Sequence, residues 1–282
     1  MKKKVIAVVG PTACGKTDTA VRIAEEIGGE IVSADSRLVY KGFNIAVSKP
    51  SMEERGGVAH HLIDIVEPEF DYSAGNFCDD AEKAIEDIIS RGKIPIVAGG
   101  TGLYFRVLLE NYNLPRVKAD YDLRTELDLK SKEELLAELK NIDYFTWERV
   151  KDANKRRIVR AIEVIKILGN PLSELNLQKE PEYDTEWIMP PIKSRDWLYD
   201  RINKRVDLMA EQGLVAETKY LLEKHGRIKN ITATIGYKEI ISYLDGHNTL
   251  DEALNKLKQH TRNYAKKQLT WFRRNEHLKI SC

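Results

Sequence analysis

From Val5 to Val9 the chain runs without a polar residue and breaks at Gly10-Pro11; from Thr17 to Ile27 apolar side chains then recur at helical spacing as Ala20, Ile23, Ala24 and Ile27. The first pattern predicts a buried strand and the second an amphipathic helix, with a tight loop between them. Ile31-Val32 and Ile94-Pro95-Ile96-Val97-Ala98 predict further buried strands, separated by a helix over Ala81 to Ile89. Continuous apolar strands interleaved with helices point to a parallel α/β sheet covered on both faces. Beyond Asn111 the strand pattern gives way to charged helical stretches, Leu123 to Leu129, Lys132 to Leu139 and Lys155 to Leu168, the last stopped by Gly169-Asn170-Pro171. One more strand is expected at Thr185 to Met189, followed by Pro190-Pro191 and three or four amphipathic helices reaching Phe272.

The loop after the first strand carries chemistry. Gly10, Pro11, Thr12, Ala13, Cys14, Gly15, Lys16 and Thr17 fit G-x-x-x-x-G-K-[ST], with the preceding strand and following helix that this motif requires. Its glycines let the backbone wrap so that N–H groups and the helix N-terminus face an anion, Lys16 adds a point charge, and Thr17 can ligate Mg²⁺. A di- or triphosphate is expected there. The fold class is therefore α/β, a P-loop NTPase-like parallel sheet core flanked by helices, with an inserted helical domain. The expected divisions are 1–112 for the first part of the core, 113–183 for the insertion, and 184–282 for the mostly helical second part, which ends in a basic helix. Cys14 lies where a helix N-terminus lowers a thiol pKa. With no histidine nearby in sequence to act as base, it reads as a small residue filling a tight turn.

Composition narrows the partners. Lysine plus arginine number 45 against 44 acids, so the net charge of +1 predicts no polyanion, and 42% hydrophobic with 32% charged residues is ordinary for a globular protein. Positive charge is instead local: Lys256 to Lys279 holds eight basic residues against the single acid Glu276. Cys14, Cys78 and Cys282 form no CxxC pair and the histidines show no HxxxH spacing, which argues against a structural zinc site. His60-His61, being adjacent, point apart and read as structural. Lys2-Lys3-Lys4 before the first strand imitates a secretory signal, but the apolar run behind it is too short. No run approaches the ~18 apolar residues of a membrane span. A cytoplasmic protein is expected, with no membrane association and no evident obligate protein partner.

Three further constellations stand out. Asp35, in Ser33-Ala34-Asp35-Ser36-Arg37-Leu38, follows the second strand and should sit on the rim where α/β sheets bind ligands; a general base, a helix N-cap or a Mg²⁺-shell carboxylate all fit it. Gly99-Gly100-Thr101-Gly102 forms another rim loop, in which Thr101 can exchange a hydrogen bond with a ligand. Lys155-Arg156-Arg157 with Arg160 and Lys166 places Arg156 and Arg160 at i,i+4, either a phosphate-binding stripe or a solvated face. Trp271 and Phe272 read as core aromatics beside a basic edge rather than as base-stacking platforms.

Taken in order, GPTACGKT, SADSRLVYKGFNIAVSKP, HHLIDIVEPEFDYSAGNF, PIVAGGTGLYFRVLL, KRRIVRAIEVIKILGNPLSEL, ATIGYKEIISYL and TRNYAKKQLTWFRR resemble the tRNA isopentenyltransferase family over nearly the whole chain. The resemblance implies transfer of a dimethylallyl group from dimethylallyl diphosphate to N6 of the adenosine 3′-adjacent to the anticodon, in tRNAs that read codons beginning with U. Its implied partners are the tRNA anticodon stem-loop and dimethylallyl diphosphate, and its cofactor is Mg²⁺ on Thr17. By the same resemblance Asp35 is the general base, and Thr101 contacts the adenine. The Gly10 to Thr17 loop and Arg205 hold the diphosphate, with Arg201 the alternative to Arg205. The tRNA meets Asp35, Ser36, Arg37, Leu38, Thr101, Arg124, Arg156, Arg157 and Arg160. Leu38 stands where the family often has Gln, and Ala46-Val47 replace a frequent Gly-Thr, which implies altered local tRNA contacts. The chain ends at Cys282 without the zinc finger of eukaryotic relatives, as a bacterial-type enzyme would. An isopentenyltransferase acting on free adenine nucleotides and an RNA-binding P-loop NTPase switch share parts of the pattern.

Overall fold

A computed structural model describes residues 2–110, 112–275 and 278. Glu276, Lys279 and Cys282, named above, lie outside these residues. The chain forms two compact units, one built from Met1–Glu110 with Pro181–Cys282 and the other from Asn111–Glu180.

The first unit opens with β1 (Lys3–Val9), α1 (Lys16–Ile27), β2 (Glu30–Ser33), β3 (His60–His61), α2 (Ala74–Ser90), β4 (Pro95–Gly99) and α3 (Gly102–Leu108). The amphipathic face of α1, Ala20, Val21, Ile23 and Ala24, packs on Val8, Ile31 and Ile96 of the sheet. Each large apolar side chain so buried stabilises the fold by about 1.5–3 kcal/mol. Helix α2 begins earlier than the apolar spacing predicts, because Ser73 and Asn76 form a reciprocal capping box that satisfies its first N–H groups. The two histidines of β3 do point apart: His60 Nδ1 lies 2.9 Å from Val58 O and His61 Nε2 2.8 Å from the Glu30 carboxylate.

The second unit is helical, with α4 (Tyr121–Leu129), α5 (Lys132–Ile142), α6 (Tyr144–Val150) and α7 (Lys155–Leu168) around Leu127, Leu135, Leu139, Ile158 and Ile162. Helix α6 escapes the periodicity reading because it is only two turns long; its start is marked by Asp143, whose carboxylate accepts from Thr146 N–H at 2.9 Å. Helix α7 stops at Gly169, which takes the left-handed conformation (φ 71°) expected of a helix end.

The chain returns to the first unit with β5 (Tyr183–Ile188), α8 (Arg195–Glu211), α9 (Leu214–His225), α10 (Lys229–Thr232), α11 (Tyr237–Leu244) and α12 (Leu250–Phe272). Tyr183, expected as the last residue of the insertion, instead pairs with Lys3 at the start of β5, in the core sheet. All five strands run parallel in the order β3-β2-β4-β1-β5. Val9 lies opposite Gly99, and Ser33 opposite Ala98, so the carboxyl ends of β1, β2 and β4 reach one edge together. Among the described residues no helix is long and apolar enough to cross a membrane.

Candidate active site at the carboxyl edge of the sheet

Three loops leave this edge side by side: Gly10 to Gly15 after β1, Ala34 to Leu38 after β2, and Gly100-Thr101 after β4. The first turns through Ala13 at φ 64° and Gly15 at φ 93°, both in the left-handed region, and delivers the N-terminus of α1 without any side-chain cap. Uncapped N–H groups and the positive end of the helix dipole are what an anion requires. Lys16 folds back over the loop, its ammonium donating to Pro11 O at 2.6 Å. Burial pushes its pKa below the ordinary lysine value, with Cys14 and Asp35 opposing that shift. Cys14 is itself buried in a cluster with Leu198, Ile202 and Ala265, and desolvation raises its thiol pKa.

The second loop is tied to the third. Asp35 Oδ1 accepts from Arg37 N–H at 2.8 Å, which fixes the carboxylate. Thr101 Oγ1 accepts from Ser36 N–H at 3.2 Å, and Thr101 N–H donates to Ala34 O at 3.3 Å. Arg37 and Leu38 are half-buried, with the Arg37 guanidinium 3.5 Å from Asn230 Oδ1 and Leu38 O accepting from Asp64 N–H. Asp35 acts electrostatically on both Lys16 and Arg205, which brings the carboxylate into the field of the phosphate loop.

Both arginines of α8 reach that loop. Arg205 donates from Nη1 to Thr12 Oγ1 at 3.2 Å and from Nε to Ser48 Oγ at 2.5 Å. Arg201 is more exposed and donates from Nε to Ala13 O at 2.7 Å while lying over the Trp197 ring. Burial lowers the pKa of Arg205, with Asp35 opposing. An enclosed guanidinium with an opposite charge nearby is held ready for a second anion.

Sequence reasoning missed several residues here. Glu217 of α9 accepts from the Ile45 and Ala46 N–H groups at 2.8 and 3.1 Å and from the Tyr237 hydroxyl at 2.8 Å, anchoring the loop that carries Ser48. Gln268 of α12 bridges two of the three loops: Thr12 N–H donates to its Oε1 at 2.8 Å and its Nε2 donates to Gly100 O at 2.9 Å. Tyr264, one turn earlier, brings its hydroxyl beside Thr101 and Gln268, and desolvation of that hydroxyl pushes its pKa up to about 12. The available signal was polar Gln268 within the stripe Tyr264, Gln268, Trp271, at i, i+4, i+7.

In the second unit, the expected cationic stripe divides. Arg156 and Arg157 are exposed in the first turn of α7. Arg160 instead donates to the fully buried Glu163 at 2.5 Å and to Val117 O at 2.7 Å, and Arg124 makes a two-pronged contact with the same carboxylate at 2.9 and 3.1 Å. Although burial raises the Glu163 pKa, these arginines hold it below the ordinary value. A buried carboxylate must be paired, and Arg124 and Arg160 are the pair.

The sequence profile described as IPP transferase matches residues 38–275, and the one described as isopentenyl transferase matches residues 3–67. The tRNA dimethylallyltransferase of Thermomicrobium roseum is 44% identical over 97% of this chain and 84% of that protein. The crystal structure of full-length tRNA isopentenylpyrophosphate transferase from Bacillus halodurans resembles this one with a TM-score of 0.73 at 41% identity, covering 99% of this chain and 89% of that one. A eukaryotic dimethylallyltransferase acting on tRNA gives a TM-score of 0.83 at 29% identity, over 96% of this chain and 70% of that chain. The profile match and the 44% identity along nearly the full length establish that the chain belongs to the IPP transferase family, among the tRNA dimethylallyltransferases.

Proposed function

We propose that the protein transfers the dimethylallyl group of dimethylallyl diphosphate to N6 of the adenosine 3′-adjacent to the anticodon of tRNA. The observation that supports this most is the convergence at one sheet edge of a phosphate loop, the fixed carboxylate of Asp35 and the hydroxyl of Thr101. The diphosphate lies on the Gly10 to Thr17 loop, against Lys16 and Arg205.

The exocyclic amine of adenine is a weak nucleophile because its lone pair is delocalised into the ring. As the N6–C bond forms, Asp35 takes the N6 proton. The C–O bond to the diphosphate breaks, and the leaving group departs with the electron pair. General-base assistance of this kind is worth about 10²–10⁴-fold. Lys16, Arg205 and the loop N–H groups meet the negative charge that grows on the leaving group. Thr101 holds the adenine edge.

The donor set fits Mg²⁺. Among the described residues no group of three or more His, Cys, Asp or Glu is arranged to hold a metal ion. Mg²⁺ bound to a nucleotide or diphosphate keeps several waters and needs few protein ligands, and Thr17 supplies a hydroxyl at the loop end. When bound, the ion neutralises charge on the diphosphate oxygens.

To reach this site the adenosine must leave its stack, at a cost of a few kcal/mol that contacts elsewhere on the tRNA must offset. Arg156 and Arg157 serve this purpose. Basic side chains in a first helical turn oppose the helix dipole, by about 0.3–1 kcal/mol each. Their placement there strengthens a positive field suited to phosphate.

The test is incubation of the protein with unmodified tRNA, Mg²⁺ and dimethylallyl diphosphate, then mass spectrometry of the digested nucleosides. N6-dimethylallyladenosine is expected. Equal turnover of free AMP without tRNA would overturn the reading in favour of a free-nucleotide enzyme.

A further inference from the structure

A carboxamide is the side-chain copy of a peptide group, one acceptor beside one donor. Gln268 uses both. Its Oε1 accepts from Thr12 N–H on the diphosphate side, and its Nε2 donates to Gly100 O on the adenine side, at 2.8 and 2.9 Å. The partners dictate the amide's orientation, since one is a donor and the other an acceptor. Gly100 is built for this approach: a Cβ there would stand 2.2 Å from Gln268 Nε2.

The helix that carries Gln268 is anchored independently. Ala265 shares a buried cluster with Cys14 of the phosphate loop, Leu269 packs against that cluster, and Phe272 meets Phe105 of α3 edge-on at 5.9 Å. Gln268 is only 6% exposed, and its amide bonds to a backbone atom of each of the two loops. The side chain therefore spans the two loops on which donor and acceptor are proposed to sit, while the surrounding packing does not depend on its polar atoms.

We infer that Gln268 is a positioning residue for prenyl transfer, a rung that sets the spacing between the diphosphate loop and the adenine-side loop so that the allylic carbon and N6 come together. The inference rests on the function proposed above. Each loop retains its own internal bonds without the rung, so each substrate still binds. What is lost is their mutual alignment, on which the bond-forming step depends steeply.

The experiment measures single-turnover prenylation of unmodified tRNA by the full chain, normalised to active sites titrated with labelled dimethylallyl diphosphate. Q268M should slow the step at least tenfold, while the KM for each substrate stays within threefold. Q268E should be as slow at pH 8. Its rate relative to the wild type should climb as the pH falls towards 5.5, because the introduced carboxyl, once protonated, can again accept from Thr12 and donate to Gly100. Burial beside a carbonyl raises that carboxyl's pKa above the ordinary glutamate value. A wild-type rate for Q268M, a loss that follows only the active-site fraction, or a pH-independent Q268E ratio would overturn the inference. Absence of product from the wild type itself would instead overturn the function beneath it.

Discussion

Arg205 donates from Nη1 to the hydroxyl of Thr12 at 3.2 Å, so α8 brings a second cation to a loop that already has its own in Lys16. Arg205→Ala should raise the KM for dimethylallyl diphosphate and lower kcat, by about 10²–10³-fold in kcat/KM, the range for removing one stabilising donor of a transition-state charge. Arg201→Ala, which removes a contact to Ala13 O from a more exposed position, should cost less than tenfold. Steady-state kinetics with varied diphosphate separates the two, and equal losses would remove the preference for Arg205.

Asp35→Asn keeps the shape and the bond from Arg37 N–H but cannot take a proton. Turnover should fall by about 10²–10⁴-fold. The affinity for tRNA, read by filter binding, should stay within about twofold. An unchanged rate would remove Asp35 from the chemistry.

The basic residues of the second unit should separate by readout. Arg156→Ala and Arg157→Ala, at exposed positions, should weaken tRNA binding and each reduce the slope of log K against log salt by about 0.7–0.9, with stability changed by less than ~0.5 kcal/mol. Glu163→Gln should instead lower the unfolding free energy by about 1–3 kcal/mol, since it leaves two half-buried arginines short of their counter-charge. Denaturant titration beside salt-dependent binding checks both.

Glu30 carries an acid-stability signature. It is buried at the start of β2 and bonded by Arg91, Lys93 and His61, which hold its pKa far below the ordinary value near 4.5. A carboxylate depressed in the folded state stabilises the fold above its unfolded pKa and loses that contribution as the pH falls towards its folded one. The melting-temperature gap between the wild type and Glu30→Gln should be full at pH 6–7 and shrink between about pH 4.5 and 2.5. A gap that stays constant over this range would contradict the linkage.

Much of the candidate site's placement was legible because each of its loops announces itself locally. The Gly10 to Thr17 motif, Asp35 after a β-branched run and the Gly99 to Gly102 turn all lie at strand ends that periodicity locates. Residues that arrive from far along the chain carry no such local mark, and Arg205 was reached only through the family resemblance. Gln268 and Glu217 act through contacts more than 150 positions away; the helical stripe Tyr264, Gln268, Trp271 marks an inward face for Gln268 but says nothing of the loops it meets. The ion pairs of Arg124 and Arg160 with Glu163 were hidden for a related reason. A positive charge reads alike in sequence whether it faces solvent or a buried acid, and Glu163 sits in an apolar run that conceals it.

The first unit closes only when its two ends meet. Strand β1 is made at the start of synthesis, yet β5, its neighbour on one side, follows about 180 residues later, a wait of roughly 10–40 s at ordinary translation speeds. Throughout that interval one edge of a nearly all-apolar strand offers unpaired N–H and C=O groups to any strand it encounters. The residues of the insertion's core, from Leu127 to Ile165, are all synthesised before this edge is covered. A chain halted before Pro181 therefore holds the phosphate loop on a sheet whose β1 edge is still open, a pairing surface that the finished molecule does not offer.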